Sequence, residues 1–278
     1  MIRGMEVGKY LARIGYRGPT EPTLENLMAI HHCHLLSVPF GSLAIHCGEG
    51  IVPELPRLYR KIVEERRGGF CYELNSLFAW LLEELGYPLR LLSGQVRSPI
   101  TGRFGPPFDH LLILAQPGGR SWLCDVGFGR AFRTPLPLEA GRPQAQENGV
   151  FELGLEAGAW HLRRRQLGGQ GAGDTLYRFT LEGRRREDFG PMCEYHQRSP
   201  SSVFACKAFC SLQLPQGMVT YMGRRLIETE YSAGGERQVT TRLTEEQIPL
   251  VLRERFGIVL RNTLVPRDED VTPPPDEY

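Results

Sequence analysis

The residues best suited to chemistry in this sequence gather around one cysteine. The run Arg67-Gly68-Gly69-Phe70-Cys71-Tyr72-Glu73-Leu74-Asn75 sets two glycines and then a cysteine at the head of an amphipathic helix. A helix N-terminus carries unpaired N–H groups and the positive end of the macrodipole, and both favour an anion. A thiol placed there is drawn toward the thiolate, the nucleophilic form, which at an unperturbed pKa of about 8.5 is only a minor species at neutral pH. The glycines allow close approach of the backbone to a ligand and leave N–H groups for an oxyanion. The plainer alternative is a buried structural cysteine in a first helical turn, so the thiol needs a partner to count as a nucleophile.

Two segments further on supply one. Phe108-Asp109-His110-Leu111-Leu112-Ile113-Leu114 starts a very apolar strand with a histidine, and Trp122-Leu123-Cys124-Asp125-Val126-Gly127-Phe128-Gly129 ends the next with an aspartate. Strands joined by the Gly118-Gly119 turn pair antiparallel, which brings the start of one opposite the end of the other. With the turn centred near residue 118, His110 and Asp125 become cross-strand neighbours. The carboxylate needs a partner at an apolar strand end; an imidazole N–H provides it and fixes the tautomer whose other nitrogen faces the thiol. Cys71, His110 and Asp125 are therefore the candidate catalytic triad for nucleophilic acyl chemistry. Asp109 is the rival carboxylate, but strand neighbours point to opposite faces, so it is expected outside His110's site.

The elements that must position these residues read as helices, then sheet, then a mixed end. Val7, Leu11 and Ile14 recur at helical spacing. Thr23 precedes a second helical pattern as its N-cap, and Pro39 and Gly41 end it. Leu55, Leu58 and Ile62 mark a third, stopped by Gly68-Gly69. Leu74, Leu77, Phe78, Leu81, Leu82 and Leu85 share one face of the helix that Cys71 opens. Beyond Tyr87, short runs at 89–96, 108–115, 121–126, 150–155, 160–167 and 176–181 predict strands of an antiparallel sheet or small barrel. Strands are expected at 202–214 and 218–226, and a helix over 244–256 opened by Thr244 and Gln247. This order is α+β, not the alternation of a doubly wound fold.

At this point the residues resemble a known family. The motif around Cys71 is similar to the active-site motif of the arylamine N-acetyltransferases. The likeness continues through Val38-Pro39-Phe40, Leu43 to His46, the apolar run after His110 and Asp125-Val126-Gly127-Phe128-Gly129. It extends to Ser201-Ser202-Val203-Phe204 and Cys210-Ser211-Leu212-Gln213. The resemblance implies three parts: a helical bundle (1–87) carrying the nucleophile, an antiparallel β-barrel (88–190) carrying His110 and Asp125, and an α/β lid (191–278), around a cysteine-protease-like Cys-His-Asp core. It implies ping-pong transfer of an acetyl group from acetyl-CoA, the acyl-donor substrate, through an acetyl-cysteine to an aromatic amine or hydrazine, a chemistry of xenobiotic metabolism. Flat acceptor rings are expected against Phe40, Phe70 or Phe128, and acyl-donor contacts at Gly127, Phe128 and Gly129, with Arg130 or Arg133 at the cleft mouth. The chain departs from the family where Gly41-Ser42 replaces an acidic residue, leaving Arg67 without its usual ion pair, and in the stretch 105–109 before the histidine.

Composition narrows the alternatives. The chain has 278 residues, 41% hydrophobic and 23% charged, with 33 Lys and Arg against 32 Asp and Glu. A net charge of +1 lacks the basic excess of a nucleic-acid binder, and no apolar run approaches the roughly 20 residues of a membrane span. The N-terminal stretch, Met1 to Lys9, has no apolar signal-peptide region, and seven scattered cysteines fit free thiols in a reducing compartment; a cytoplasmic protein is expected. His31, His32, Cys33, His34, His46 and Cys47 lack the spacing of a zinc site, so no metal is expected. The competing enzymatic readings are a related Cys-His-Asp amide synthase and a thioester or peptide hydrolase.

Overall fold

In the computed structural model Thr23 opens a helix as its sequence predicts, its Oγ1 accepting the Asn26 N–H at 3.2 Å. The structure describes residues 4–171 and 173–274, so the first three residues of the N-terminal stretch lie outside it. Helices α1 (Val7–Arg13) and α2 (Leu24–Ser37) lead into a short strand β1 (Phe40–Gly41), then α3 (Leu43–His46) and α4 (Leu55–Tyr59), which continues as a π-helical turn over Arg60–Glu64. Helix α5 (Cys71–Glu84) follows and is the buried axis of this part: Leu74, Leu77, Phe78, Ala79, Leu81 and Leu82 are all fully buried.

Strands β2 (Leu89–Val96), β3 (His110–Ala115), β4 (Trp122–Cys124), β5 (Leu136–Pro137), β6 (Gln144–Gln146), β7 (Gly149–Glu156), β8 (Ala159–Arg165) and β9 (Asp174–Phe179) form one antiparallel sheet in the order β5-β4-β3-β2-β9-β8-β7-β6. The sheet curls into a nearly closed, barrel-like shape. Strand β3 is buried along its whole length because both faces are covered. Leu111, Ile113 and Ala115 pack on the helices, while Leu112 and Leu114 fill the barrel with Leu92, Phe151, Leu162 and Tyr177. Two-sided burial is why this strand reads as a continuous apolar run rather than an alternating one.

The chain then forms α6 (Gly190–Arg198), α7 (Val203–Cys206), β10 (Phe209–Leu214), β11 (Gly217–Met222), β12 (Arg225–Ser232), β13 (Gly235–Arg242) and α8 (Gln247–Phe256). The last four strands join β1 in a five-stranded sheet ordered β1-β10-β11-β12-β13. Two expectations are corrected here. Residues 202–206 are not strand: Ser202 Oγ accepts the Phe204 N–H at 3.2 Å and caps α7. The predicted strand across 218–226 is broken at Gly223, whose φ of +59° turns the chain into β12. Strand β13 gave no apolar pattern because it is an exposed edge strand with only its first residue buried. No helix among the described residues is long and apolar enough to cross a membrane.

Candidate active site

Cys71 is the first residue of α5, with Phe70 in extended conformation as its N-cap. The Phe70 N–H donates to Glu73 Oε2 at 3.1 Å, and Lys61 Nζ lies 2.6 Å from Glu73 Oε1, so a side chain of the same turn ties down the helix start. The two glycines serve a different purpose from the one expected. A Cβ on Gly68 would sit 2.0 Å from the Pro39 carbonyl oxygen, and one on Gly41 would sit 2.2 Å from the Phe209 oxygen. Three segments, 39–41, 67–69 and 209–211, thus pass too closely for side chains. The Gly69 N–H donates to Pro39 O at 3.2 Å and is not available to an oxyanion. Gly41, which stands where an acidic residue was expected, lies in this close passage, and Arg67 pairs instead with Glu49, Nη1 to Oε2 at 2.5 Å.

His110 and Asp125 meet as predicted, by a different register. Ile113 pairs with Cys124 and Leu114 with Leu123, so the line extended along the ladder sets Asp125 opposite Leu112, and the histidine is its diagonal neighbour rather than its direct one. Both side chains point to the barrel side, and an imidazole spans the diagonal. His110 Nε2 donates to Asp125 Oδ2 at 2.8 Å, which leaves Nδ1 as the nitrogen free of the carboxylate. Asp109 faces away, toward His196, as the strand alternation requires.

Asp125 is 1% exposed and remains an anion because every lone-pair direction is used. Asn75 Nδ2 and the Gly127 N–H donate to Oδ1, each at 2.9 Å, and Tyr177 OH donates to Oδ2 at 3.1 Å beside His110. Burial pushes its carboxyl up. The charge and hydrogen bond of His110, with the Asn75 and Gly127 donors, outweigh this and hold it below the ordinary carboxylate range. The Asp125 N–H donates to His31 Nε2 at 3.1 Å, and His31 Nδ1 lies 2.9 Å from the Arg133 carbonyl. That pairing fixes a neutral His31, and burial lowers its pKa to about 4 against the opposing pull of the Arg133 carbonyl.

Cys71 is 1% exposed. Burial pushes its thiol well up, the Leu111 N–H at the sulfur pulls it back, and the carboxylates of Asp109 and Asp125 push it further. Burial thus opposes the stabilisation that the helix N-terminus offers a thiolate. The Leu111 contact places the sulfur beside the strand start that carries His110, a candidate base.

Around this centre Phe128 lies 5.3 Å from His110 and 5.2 Å from Tyr177, ring centre to ring centre, and is half-buried. Phe40 is half-buried against Phe204 and Phe209, and a Cβ on Gly129 would come within 3.0 Å of its ring. Phe70 is fully buried between Tyr72 and Phe204. Gly127 does not offer an acyl-donor contact: it is buried, its N–H is spent on Asp125, and a Cβ there would lie 2.7 Å from Cys71 Cα. Arg133 is not at the cleft mouth. Its fully buried guanidinium donates to the Leu214, Pro215 and Gly217 carbonyls of the β10–β11 turn, while exposed Arg130 pairs with Glu236.

Asn75, Tyr177 and His31 escaped the reading of the sequence. Asn75 was within reach of it, since a polar residue one turn beyond Cys71 shares its helix face. Tyr177 and His31 carry no comparable local signal. Among the described residues no cluster of His, Cys, Asp or Glu is arranged to hold a metal ion.

A family model described as N-acetyltransferase matches residues 23–265. The arylamine N-acetyltransferase 1 of Homo sapiens is 36% identical, and the arylamine N-acetyltransferase 2 of Mus musculus 35%, each alignment covering 96% of this chain and 98% of the relative. The M. smegmatis arylamine N-acetyltransferase structure superposes with a TM-score of 0.82 at 31% identity over 92% of this chain and 93% of that one. The Mycobacterium marinum enzyme in complex with CoA gives 0.81 at 28% identity, over 91% and 93%. This chain belongs to the arylamine N-acetyltransferase family and is an acetyl-CoA-dependent N-acyltransferase.

Proposed function

We propose that Cys71 is the nucleophile, His110 the proton carrier through Nδ1, and Asp125 the carboxylate that orients it. The hydrogen bond from His110 Nε2 to Asp125 Oδ2 at 2.8 Å carries this reading, because it selects Nδ1 as the base on the side of the buried thiol.

Nδ1 takes the Cys71 proton as the sulfur attacks the thioester carbonyl carbon. The bond to the coenzyme's sulfur breaks, and that sulfur leaves with the proton held on His110. Cys71 now carries the acetyl group. In the second half-reaction an aromatic amine or hydrazine attacks the acetyl carbon, gives its proton to Nδ1, and Cys71 leaves and recovers that proton. An arylamine is neutral at pH 7, so its lone pair is available without a further deprotonation. Asp125 stays ionised throughout and stabilises the imidazolium in each half.

Phe40 and Phe128 are read as the walls for the acceptor ring, with Phe70 and Phe204 packed behind Phe40, and the half-buried Phe128-Gly129 rim as the acyl-donor side. We read three working parts, 1–87, 88–190 and 191–278; each holds most of one apolar core, and the helical core also takes in Leu111, Ile113, Cys124 and Cys193 across the boundaries. Seven unpaired cysteines support a reducing, cytoplasmic setting. The decisive experiment is intact mass after mixing with acetyl-CoA: one adduct of about 42 Da, lost in Cys71→Ala and discharged by an arylamine. An adduct that persists in Cys71→Ala rejects the nucleophile.

A further inference from the structure

Immediately before His110 the backbone is strained. Phe108 has φ +65°, in the left-handed region that a residue with a side chain rarely adopts. Such a conformation persists only where its surroundings over-determine it, and it clusters at functional sites. Here the Phe108 N–H donates to Ser93 Oγ at 2.9 Å, and Tyr72 OH lies 2.8 Å from the Phe108 carbonyl and 3.0 Å from that of Asp109. Asp109 Oδ2 accepts the Val96 N–H at 3.0 Å. A Cβ on Gly105 would lie 2.2 Å from Asp109 Oδ2, so only glycine there lets the carboxylate fold back over its own loop.

One clamp comes from a distant part of the chain. His196, on α6, places Nε2 2.9 Å from Asp109 Oδ1, with both side chains about nine-tenths buried. Its Nδ1 lies 2.8 Å from Ser202 Oγ, the cap of α7. A single hydrogen-bonded line thus runs from the α7 cap through His196 and Asp109 to the end of β2. The mechanism uses none of these groups.

We propose that His196 is a positioning residue for His110. By holding Asp109 it keeps the strained segment 108–109, and with it the start of β3, in the geometry that aims the His110 imidazole at Cys71. The inference rests on Cys71 and His110 being the reacting pair. It predicts a loss in the chemical step rather than in substrate binding, because His196 lies on the helical face of the strand start, packed behind it on Tyr72 and Phe204, while His110 points to the barrel face.

The test is steady-state and single-turnover kinetics with acetyl-CoA and 4-methoxyaniline on three variants. His196→Leu keeps the bulk and removes the donor; its kcat is expected to fall about 10- to 100-fold with KM for both substrates within about twofold, the size that a small misplacement of a catalytic group produces. His196→Gln, whose Nε2 can still reach Asp109, should recover most of that loss. If His196→Leu fails to fold, the near-isosteric Asp109→Asn takes its place, with the same kcat loss expected. An unchanged kcat, a change confined to KM, or a Gln variant as slow as the Leu variant overturns the proposal. Failure of the underlying triad would appear separately, as turnover surviving in Cys71→Ala.

Discussion

Asn75 Nδ2 lies 2.9 Å from Asp125 Oδ1 and 2.7 Å from the Leu111 carbonyl, while Asn75 Oδ1 accepts the Val126 N–H at 2.9 Å. One carboxamide, one turn below the thiol, therefore joins the helix of Cys71 to the strand of His110 and the loop of Asp125. Both ends of the amide are used, so aspartate or leucine cannot replace it without leaving a buried group unpaired.

Asn75→Ala should accordingly lower both stability and rate. Each buried group left without a partner costs about 1–3 kcal/mol. A fall in melting temperature together with a slower acetylation step, seen by thermal denaturation and stopped flow, is expected; a normal acetylation rate would show that Asn75 braces the fold without affecting the triad.

Asp125→Asn should slow transfer by about 10²- to 10⁴-fold through misorientation of His110. The site offers four donors to this side chain, and an amide accepts at only one end. Near-normal turnover in the folded variant would reduce Asp125 to a structural role.

Alkylation of Cys71 should depend on His110 and not on the helix end alone. Since burial pushes the thiol up, His110→Ala should slow iodoacetamide labelling of Cys71 at pH 7 by at least about tenfold. Labelling at the unaltered rate would return the helix N-terminus to the leading role. Mapping by peptide mass separates Cys71 from the other six thiols.

His31 gives the fold an acid-side dependence. Its pKa falls from the ordinary 6.5 to about 4 on folding, so between those values the unfolded chain binds more protons than the folded one. Stability from this group is whole above pH 6.5 and lost as pH falls toward 4. The shift corresponds to about 3 kcal/mol. Urea unfolding across this window should show a shallower pH slope for His31→Gln than for the unaltered chain. The slope does not vanish, because burial also lowers His34; equal slopes would mean that His31 is not held neutral.

The sequence by itself determined the elements that local chemistry specifies. Gly86 beyond α5, Thr23 before α2 and the Gly-punctuated strands were legible because caps, breakers and side-chain periodicity act within a few residues. The placement of the candidate nucleophile and of the His110–Asp125 pair was legible too, since a helix start and two strand ends linked by one turn fix it approximately. The tertiary structure decided what depends on segments far apart in the chain. The register that puts Asp125 diagonal to His110 is that of the β3–β4 pairing across the 3₁₀ turn at Pro117–Gly119. Gly68 and Gly41 make room for the backbone at residues 39 and 209, and Arg133 left the cleft for carbonyls some 80 residues away. Tyr177, His31 and His196 reach the site or its support from β9, α2 and α6. No local pattern encodes such meetings, because they follow from the burial of whole faces, and only the packed chain brings those faces together.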